Sequence, residues 1–389
     1  MNTKELDKKY IMNTYGRYNV ALKSGKGCTA YDEDGKKYLD VSSGIGVNSL
    51  GYCEDGWVNA VSSQLNTIQH MSNYFYCAQA SELAEKLCNL TGLSKVCFSN
   101  SGAEANECAI KIARKYSFDK YGKGRNEIIS LKDSFHGRTV TTLSATGQDN
   151  FHNYFFPFTE GFKYAEPNIE SVKSLVSDKT CAVLIECVQG EGGVNILDKN
   201  FVKDIRALCD EKDIILITDE VQTGIGRTGK LFCYENFEIT PDLVTCAKGL
   251  GGGLPIGLCI CSDKLKDVMQ PSTHGSTFAA NPAVCAGANY VIGKISDSEF
   301  LSEVNKKGEY LKEKLLEIDG IKSVRGLGLM IGIELEKDNA KDISIKCVEN
   351  GLLIITAKNL LRMLPPLNIS YTEIDEAVEI LNTTIQEDK

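Results

Sequence analysis

The sequence has few of the residues and spacings that mark a metal-binding or disulfide-bonded protein. Only 4 of its 389 residues are histidine, and its 15 cysteines include no C-x-x-C pair. No spacing typical of a zinc site follows. An odd number of cysteines spread over a long chain favours reduced side chains that pack as small apolar residues. We therefore expect no metal and a cytoplasmic location.

The chain also lacks the segments typical of nucleic-acid or membrane partners. Its 43 lysines and arginines are outnumbered by 52 acidic residues, giving a net charge of -9, and no basic block occurs. This balance argues against general binding to nucleic acid or anionic membranes. The first nine residues are charged throughout and do not resemble a signal peptide. The longest apolar stretch contains Lys248, Pro255 and several glycines, so it does not predict a membrane span.

The length of 389 residues predicts two domains. We expect residues 51–284 to form the larger domain and residues 285–389 to form a smaller α/β domain. Residues 1–50 are expected to form an N-terminal segment that packs with the smaller domain. The last helix is predicted to open at Thr372, because Asp375 follows at capping-box spacing.

From about residue 95 the chain alternates short apolar runs with helical patterns. The runs lie at residues 95–99, 128–131, 181–187, 214–218 and 243–247. They lack the strict alternation of half-exposed strands, so they predict a buried, mostly parallel α/β sheet. Ligands of such sheets bind outside the carboxyl ends of the strands. Most of the candidate functional residues fall at these ends.

Lys248 directly follows one of these runs and precedes a glycine-rich loop at residues 249–253. A partly desolvated amine has a lowered pKa, which makes a neutral nucleophile available for a Schiff base. The alternative is a lysine that reaches solvent beside a flexible loop. This segment alone favours neither interpretation.

Two further segments lie at strand ends, and one suits a cationic ligand whereas the other suits an anionic one. Asp219 can pair with a cation such as a protonated pyridinium nitrogen, although a single loop acid is usually just solvated. Ser101 is a plausible N-cap of a helix with Glu104 at the capping-box position. Free N–H groups at such a helix start can hold a phosphate, although a plain capped helix is the commoner case.

Residues 224–229 match the G-x-G-x-x-G pattern and support an alternative, a nicotinamide-dependent dehydrogenase. The pattern begins some residues after the strand, and no helical pattern follows it. No acid ends a second strand at the expected distance. A lone fingerprint of this kind is therefore weak support for dinucleotide binding.

One aromatic and two arginines complete the set of candidates. Phe135 can stack on a flat cofactor ring, and Arg138 and Arg362 can each clamp a carboxylate. Each arginine taken alone is more typical of a surface ion pair.

Taken together, these segments resemble the class III (ω-amino acid) aminotransferases that depend on pyridoxal 5'-phosphate. The motifs occur in the order SGAEAN, FHGR, QGEGG, DEVQTGIGRTG, AKGLGGGLP and HGST. The resemblance covers nearly the whole chain and is closest to the members that act on N-acetylornithine in arginine biosynthesis. It implies the fold type I of pyridoxal-phosphate-dependent transferases, with a large, mostly parallel domain and a smaller α/β domain.

The resemblance also implies roles for residues at the cofactor. Lys248 would form the Schiff base and shuttle protons, and Asp219 would pair with the pyridinium nitrogen. Gln222 would lie near the phenolic oxygen of the cofactor. The other implied contacts are ring stacking by Phe135 and Val221, phosphate binding by Gly102 and Ala103, and a phosphate contact by Thr277 across a homodimer interface.

The resemblance further implies how one site accepts two substrates. Arg138 would hold the carboxylate remote from the reacting amine, and Arg362 would take the α-carboxylate of glutamate. Glu191 would pair with Arg362 while the ω-amine donor is bound and move away for glutamate. Such a switchable pair sets the local charge for each substrate. Ser276 is expected to touch substrate as well.

The expected reaction is therefore a ping-pong transamination between N-acetylornithine and 2-oxoglutarate, giving N-acetylglutamate semialdehyde and glutamate. Ornithine, succinylornithine, 4-aminobutyrate and lysine are alternative donors, and a catalytically silent, cofactor-binding regulatory protein is an alternative of another class. Ala103 stands where the family usually has threonine, and Cys187 where it has proline. Residues 52–55 also depart from the family's pattern, in a loop that is expected to face the substrate.

Overall fold

The computed structural model describes residues 1–388, in which the apolar runs after residue 95 form one central sheet. In chain order the strands are β1 (Leu22–Lys26), β2 (Thr29–Asp32), β3 (Lys37–Asp40), β4 (Lys95–Ser99), β5 (Glu127–Leu131), β6 (Phe162–Ala165), β7 (Thr180–Ile185), β8 (Val188–Gln189), β9 (Asn195–Ile196), β10 (Ile215–Asp219), β11 (Leu243–Cys246), β12 (Gly257–Cys261), β13 (Ile321–Leu327), β14 (Met330–Leu335), β15 (Leu352–Leu353), β16 (Ile355–Ala357) and β17 (Leu360–Met363).

The α-helices lie between and around these strands. They are α1 (Thr3–Tyr10), α2 (Ser43–Gly46), α3 (Asp55–Thr67), α4 (Ala78–Thr91), α5 (Gly102–Tyr121), α6 (Val140–Ala145), α7 (Ile169–Leu175), α8 (Lys199–Lys212), α9 (Pro282–Ile295), α10 (Ser298–Leu316), α11 (Ala340–Glu349) and α12 (Tyr371–Glu387). Short 3-10 turns occur as well, of which Lys248–Gly251 and Cys233–Phe237 matter most for the site.

The central sheet has seven strands in the order β4-β12-β11-β10-β7-β5-β6. The neighbours from β11 to β6 are parallel, whereas β12 is antiparallel to both β11 and β4. Because β12 is reversed against both neighbours, β4 runs in the same direction as β11. The carboxyl ends of β4, β5, β7, β10 and β11 therefore meet at one edge. The prediction of a mostly parallel α/β sheet is confirmed.

Burial on both faces explains why these strands read as continuous apolar runs. Every residue of β7 and β10 is buried. Helix α5 packs the predicted small side chains of Ala105 and Ala109 inward, and α8 buries Phe201 and Ile205. The cysteines described carry free thiols and are mostly buried, as expected for small apolar side chains.

Most of the strands outside the central sheet form two four-stranded sheets. An antiparallel sheet has the order β13-β14-β17-β16, and a further sheet has the order β1-β2-β3-β15. In the latter, Leu39 near the N-terminus pairs in parallel with Leu352. The domain boundaries at residues 50 and 284 stay a prediction. Among residues 1–388, no helix combines the length and the apolar character that a membrane crossing requires.

The start of the last helix differs from its prediction. Helix α12 begins at Tyr371 with Ser370 as the N-cap, and Ser370 and Glu373 form the capping box. The predicted opening at Thr372 with Asp375 is wrong, because Ser370 provides the same Ser-x-x-Glu pattern two residues earlier. The carboxylate of Asp375 instead accepts a hydrogen bond from the hydroxyl of Tyr310 at 2.7 Å.

Candidate active site

The predicted site residues converge on one cavity at the carboxyl edge of the central sheet. The cavity has a volume of about 620 Å³, which suits a small cofactor with its substrate. Of the residues singled out in the sequence, its wall contains Gly102, Ala103, Phe135, Arg138, Asp219, Val221, Gln222 and Lys248. These residues come from the ends of four different strands, β4, β5, β10 and β11, or from the segments that follow them, so the parallel sheet is what brings them together.

Lys248 opens the 3-10 turn that follows β11 after one intervening residue, and it holds a left-handed φ of 43°. Its ε-amino group has no hydrogen-bond or ion-pair partner among residues 1–388. Burial lowers the pKa of this amine from its ordinary value, and the nearby carboxylate of Glu191 opposes the shift. The amine is therefore a stronger nucleophile near neutral pH than an ordinary lysine.

Asp219 ends β10 and is 4 % exposed. Its Oδ2 accepts hydrogen bonds from Nδ2 of Asn106 at 2.7 Å and from Nδ1 of His136 at 2.8 Å. Its Oδ1 accepts from the backbone N–H of Val221 at 3.0 Å. These donors fix the orientation of the carboxylate toward the cavity.

Sequence reasoning gave no role to Asn106 or His136. The side chain of Asn106 connects Asp219 to two further residues. Its Oδ1 accepts from Oγ1 of Thr245 at 2.7 Å, and its Nδ2 donates to the carbonyl of His136 at 2.8 Å. Both residues stand inside the SGAEAN and FHGR motifs. Their position beside Gly102 and Phe135 was the only signal in the sequence.

The start of α5 forms a cradle for an anion. Ser101 caps the helix by accepting from the N–H of Glu104 at 3.2 Å. The N–H groups of Gly102 and Ala103 have no acceptor within the described chain, and both residues line the cavity. A Cβ at Gly102 would lie 2.5 Å from Cγ1 of Val221, so glycine is required for this close approach. Free N–H groups at a helix start are suited to a phosphate.

Phe135 and Val221 both contribute apolar surface to the cavity. The backbone N–H of Phe135 donates to Oε1 of Glu186 at 2.8 Å, and its ring meets Phe151 edge-on at 5.8 Å between centroids. Burial raises the pKa of Glu186 to about 7, with His136 opposing the shift. Glu186 is a further residue of the cavity wall to which the sequence gave no role.

Arg362 and Glu191 form an ion pair beside this cavity. The distance between Nη1 of Arg362 and Oε1 of Glu191 is 2.9 Å. The same Nη1 donates to Oε1 of Gln222 at 3.1 Å, and Nε of Arg362 is buried without a hydrogen-bond partner among residues 1–388. The structure thus joins three residues that the sequence singled out separately.

Arg138 offers a second positive charge at the same cavity. Its side chain is exposed, and its guanidinium carbon lies 4.1 Å from the ring centre of Phe151 and 5.4 Å from that of Phe135. Within residues 1–388 it has no carboxylate partner. The cavity is therefore bordered by one arginine that is already neutralised and one that is free.

Ser276 and Thr277 lie outside the wall of the cavity. The Oγ of Ser276 accepts from Nδ2 of Asn100 at 2.7 Å, directly before the anion cradle. Thr277 is exposed. An exposed position suits a contact with the phosphate of a second subunit, and that role stays a prediction.

Residues 224–229 form a tight turn rather than a dinucleotide-binding loop. The segment that follows contains a short 3-10 turn, Cys233–Phe237, and no α-helix starts there. Arg227 within the turn is buried, and its Nη1 donates to the carbonyls of Leu329 at 3.0 Å and Pro365 at 2.6 Å. The glycine-rich turn thus places Arg227 in contact with the C-terminal part of the chain. The dehydrogenase alternative is wrong.

Three potential metal ligands cluster away from this cavity, although the spacing of cysteines in the sequence did not indicate them. The ligand atoms of Cys97, Cys108 and His274 lie within 4.8 Å of one another. Nζ of Lys111 lies 3.0 Å from Nδ1 of His274. This ammonium opposes a cation at the imidazole, so we assign no metal to the cluster.

One cavity brings together a buried lysine, a strand-end aspartate and the unpaired N–H groups of a helix start, and this arrangement suits pyridoxal 5'-phosphate. The sequence profile described as "Aminotransferase class-III" matches residues 10–385. The chain belongs to the class-III aminotransferases, which use pyridoxal 5'-phosphate. Their fold is fold type I of the pyridoxal-phosphate-dependent enzymes. It is therefore an aminotransferase, and the predictions of fold class, cofactor and enzyme class are confirmed.

Relatives that match over nearly the whole of both chains extend this result. The chain is 50 % identical to the acetylornithine aminotransferase of Haemophilus ducreyi, with 99 % of this chain and 98 % of the relative covered. It is 46 % identical to that of Methanocaldococcus jannaschii, with 99 % and 98 % covered. The structure matches the ornithine aminotransferase of Toxoplasma gondii with a TM-score of 0.95 at 29 % identity, over 100 % of this chain and 97 % of that chain. The N-acetylornithine aminotransferase of Stenotrophomonas maltophilia matches with a TM-score of 0.86 at 32 % identity, over 99 % and 98 %.

Proposed function

We propose that this aminotransferase moves the ω-amino group of N-acetylornithine to 2-oxoglutarate, giving N-acetylglutamate semialdehyde and glutamate, as arginine biosynthesis requires. Several relatives that are 46–50 % identical over nearly the whole chain carry the name acetylornithine aminotransferase. The observation that carries the proposal is the Arg362–Glu191 ion pair at 2.9 Å beside the exposed Arg138.

The charges at the cavity match the two substrates of this reaction. N-acetylornithine carries one carboxylate, and its α-amino group is acylated and uncharged, so it needs one free arginine. We assign that carboxylate to Arg138. Glutamate carries two carboxylates, and Arg362 becomes available to the second one when Glu191 moves away. Ser276, next to the phosphate cradle, is assigned a contact with the substrate.

The geometry at the sheet edge supports the cofactor-binding roles that we propose for these residues. Bound pyridoxal 5'-phosphate supplies an aldehyde that takes up the amino group and an electron-withdrawing ring. The neutral amine of Lys248 is the nucleophile, and it moves the proton at the carbon that bears the transferred amine. Asp219 presents its carboxylate to the ring nitrogen. Gly102 and Ala103 hold the phosphate with their backbone N–H groups.

The remaining cofactor contacts are apolar or weakly polar. Phe135 and Val221 are assigned to the ring faces, and Gln222 to the phenolic oxygen. Gln222 also links this oxygen to the substrate side of the cavity, because it accepts from Arg362 at 3.1 Å. A substrate carboxylate at Arg362 and the cofactor ring are in this way connected through one amide.

The working form is proposed to be a homodimer in which Thr277 contacts the phosphate bound by the partner. Two exposed aromatic segments support such an interface, one at Tyr74–Tyr76 and one at Tyr154–Phe156. Tyr74 is 95 % exposed and Phe156 is 69 % exposed. Apolar surface of this kind marks an interaction site. A cytoplasmic location stays a prediction.

A panel of amino donors with 2-oxoglutarate tests the substrate assignment, with glutamate formation as the measurement. N-acetylornithine should give the highest kcat/KM, ahead of ornithine, succinylornithine, 4-aminobutyrate and lysine. A higher kcat/KM with another donor would assign that donor as the substrate instead. Absence of turnover with every donor would favour the silent, cofactor-binding protein, which the complete set of Lys248, Asp219 and Gln222 argues against.

A further inference from the structure

Glu191 lies at the tip of a hairpin, here called the gate hairpin and defined as residues 188–196. Strands β8 and β9 pair antiparallel, with Val188 opposite Ile196 and Gln189 opposite Asn195. Residues 190–194 form the tip. A five-residue turn with three glycines has little rigidity of its own. When the side chain of Glu191 leaves Arg362, another contact must therefore hold the tip in place.

The gate hairpin lies over a row of residues in the antiparallel sheet of the C-terminal part. Arg325 on β13 is the register partner of Gly332 on β14. Gly332 is in turn the register partner of Arg362 on β17. The three residues therefore follow one another straight across the sheet, with a glycine between two arginines.

Each member of this row contacts a different part of the tip. Nε and Nη2 of Arg325 both donate to the carbonyl of Gly193, at 3.0 and 2.7 Å. A Cβ at Gly332 would lie 2.9 Å from Cβ of Val194, so the tip rests on the glycine without a gap. Arg362 holds the carboxylate of Glu191.

The opposite side of the tip rests on the loops of the central sheet. A Cβ at Gly190 would collide with the amide of Gln222, and one at Gly192 would collide with the carbonyl of Asp133. Gln189 also donates to the carbonyl of Lys132 at 2.7 Å. The tip is thus enclosed on both sides. The only charged side chain that binds its backbone from the C-terminal sheet is Arg325, among residues 1–388.

We propose that Arg325 is a positioning residue for the gate: it pins the backbone of the tip so that only the side chain of Glu191 moves between the two half-reactions. The proposal rests on the proposed function of the Arg362–Glu191 pair. With the backbone pinned, Glu191 returns to Arg362 each time glutamate leaves. Without the pin, Arg362 spends more time unneutralised while the ω-amine donor binds.

The kinetic test compares the two half-reactions of the holoenzyme in an Arg325→Gln variant. The ratio of kcat/KM for N-acetylornithine to kcat/KM for glutamate should fall by about tenfold, because a charge-assisted anchor is lost. The fall should arise mainly from a higher KM for N-acetylornithine. Arg325→Lys, which keeps the charge and one donor, should recover part of the ratio. Equal changes in both half-reactions, or no change, would overturn the proposal.

Arg114→Gln is the matched control, because Nε and Nη2 of Arg114 also donate to backbone carbonyls, those of Asn126 at 3.1 Å and Glu160 at 2.9 Å. Its ratio should stay at the wild-type value. If Arg325→Gln does not fold, Gly332→Ala acts on the same tip from the neighbouring strand by pushing against Val194. It must lower the same ratio, and an unchanged ratio in a folded Gly332→Ala protein would overturn the proposal.

Hydrogen exchange at residues 190–194 provides a readout that does not depend on activity. In Arg325→Gln these amides should exchange at least about tenfold faster than in wild type, whereas Arg114→Gln should leave them unchanged. Unchanged exchange would contradict the anchoring itself. If wild type lacks turnover with N-acetylornithine, the proposed function fails, and the exchange experiment still decides whether Arg325 holds the hairpin.

Discussion

Arg362 and Glu191 are 2.9 Å apart, yet the arginine side chain is 2 % exposed and the glutamate side chain 31 % exposed. The buried arginine is held in β17, whereas the acid lies at the tip of the gate hairpin with only its side chain partly open to solvent. If either member of the pair moves, it is therefore the acid. This asymmetry supports the proposed roles of Arg362 as the fixed carboxylate receptor and Glu191 as its removable partner.

Replacing Glu191 by glutamine should change substrate preference rather than abolish turnover. The amide cannot neutralise Arg362, so KM for glutamate should fall and KM for N-acetylornithine should rise. We expect the ratio of the two kcat/KM values to move by on the order of tenfold toward glutamate. Separate half-reaction kinetics measure it. Glu238→Gln, at an exposed acid paired with Lys199 and Lys203, should leave the ratio alone, and a Glu191→Gln ratio equal to wild type would refute the gate.

Asn106→Ala should destabilise the protein through the network that orients Asp219. The change removes a donor to Asp219 and leaves the hydroxyl of Thr245 without its acceptor. Loss of buried hydrogen-bond partners of this kind costs about 1–3 kcal/mol. Urea unfolding measures the loss. Asn153→Ala, at an exposed residue with one backbone hydrogen bond, should stay within about 0.5 kcal/mol of wild type, and similar values for both variants would contradict the network.

Gly102→Ala should both strain the fold and weaken cofactor binding. The new Cβ would lie 2.5 Å from Cγ1 of Val221, and overpacking of this kind costs about 1–3 kcal/mol. Gly293 in α9 is the control, because a Cβ there meets nothing within 4 Å. Gly293→Ala should instead stabilise the helix by about 0.5–1 kcal/mol. Urea unfolding and cofactor titration measure the two effects, and a stabilised Gly102→Ala protein would be inconsistent with the cradle.

Lys248→Met should stabilise the apoprotein near neutral pH. Burial lowers the pKa of Lys248 below its ordinary value of 10.5, so between the folded and unfolded pKa the unfolded chain binds more protons. The free energy of unfolding of wild type therefore rises with pH through this window. Below the window, wild type carries the full cost of burying the charged lysine. Methionine keeps the aliphatic stem and removes the titration. The advantage of the variant should shrink as the pH approaches 10.5, as urea midpoints of the apoproteins would reveal; a gain that does not depend on pH would exclude this cause.

The sequence predicts those site residues that directly follow a strand. Lys248, Asp219 and Gly102 each stand at a strand end, and parallel strands bring their ends to one edge, so their meeting follows from pattern alone. The contacts of His136 and Asn106 with Asp219 depend on side-chain directions that spacing does not contain. Both residues stand within motifs, but nothing in the motifs says which neighbour they bind.

Contacts that depend on strand register are harder to predict from the sequence. The row of Arg325, Gly332 and Arg362 exists because three antiparallel strands are aligned at these positions, and a shift of one residue would turn the side chains to the other face. The reversed direction of β12 is likewise a tertiary choice. Its short connection from β11 contains the Lys248 turn and its glycines, which allow the chain to reverse there.

The central claim is that the buried amine of Lys248 is the point at which pyridoxal 5'-phosphate attaches. Borohydride reduction of the holoenzyme, followed by digestion and mass spectrometry, tests it directly. The account predicts a pyridoxyl label on the peptide that contains Lys248, with the label and the visible absorption band both absent from Lys248→Ala. A label on any other lysine of the wild-type protein, or an undiminished band in the variant, would contradict it.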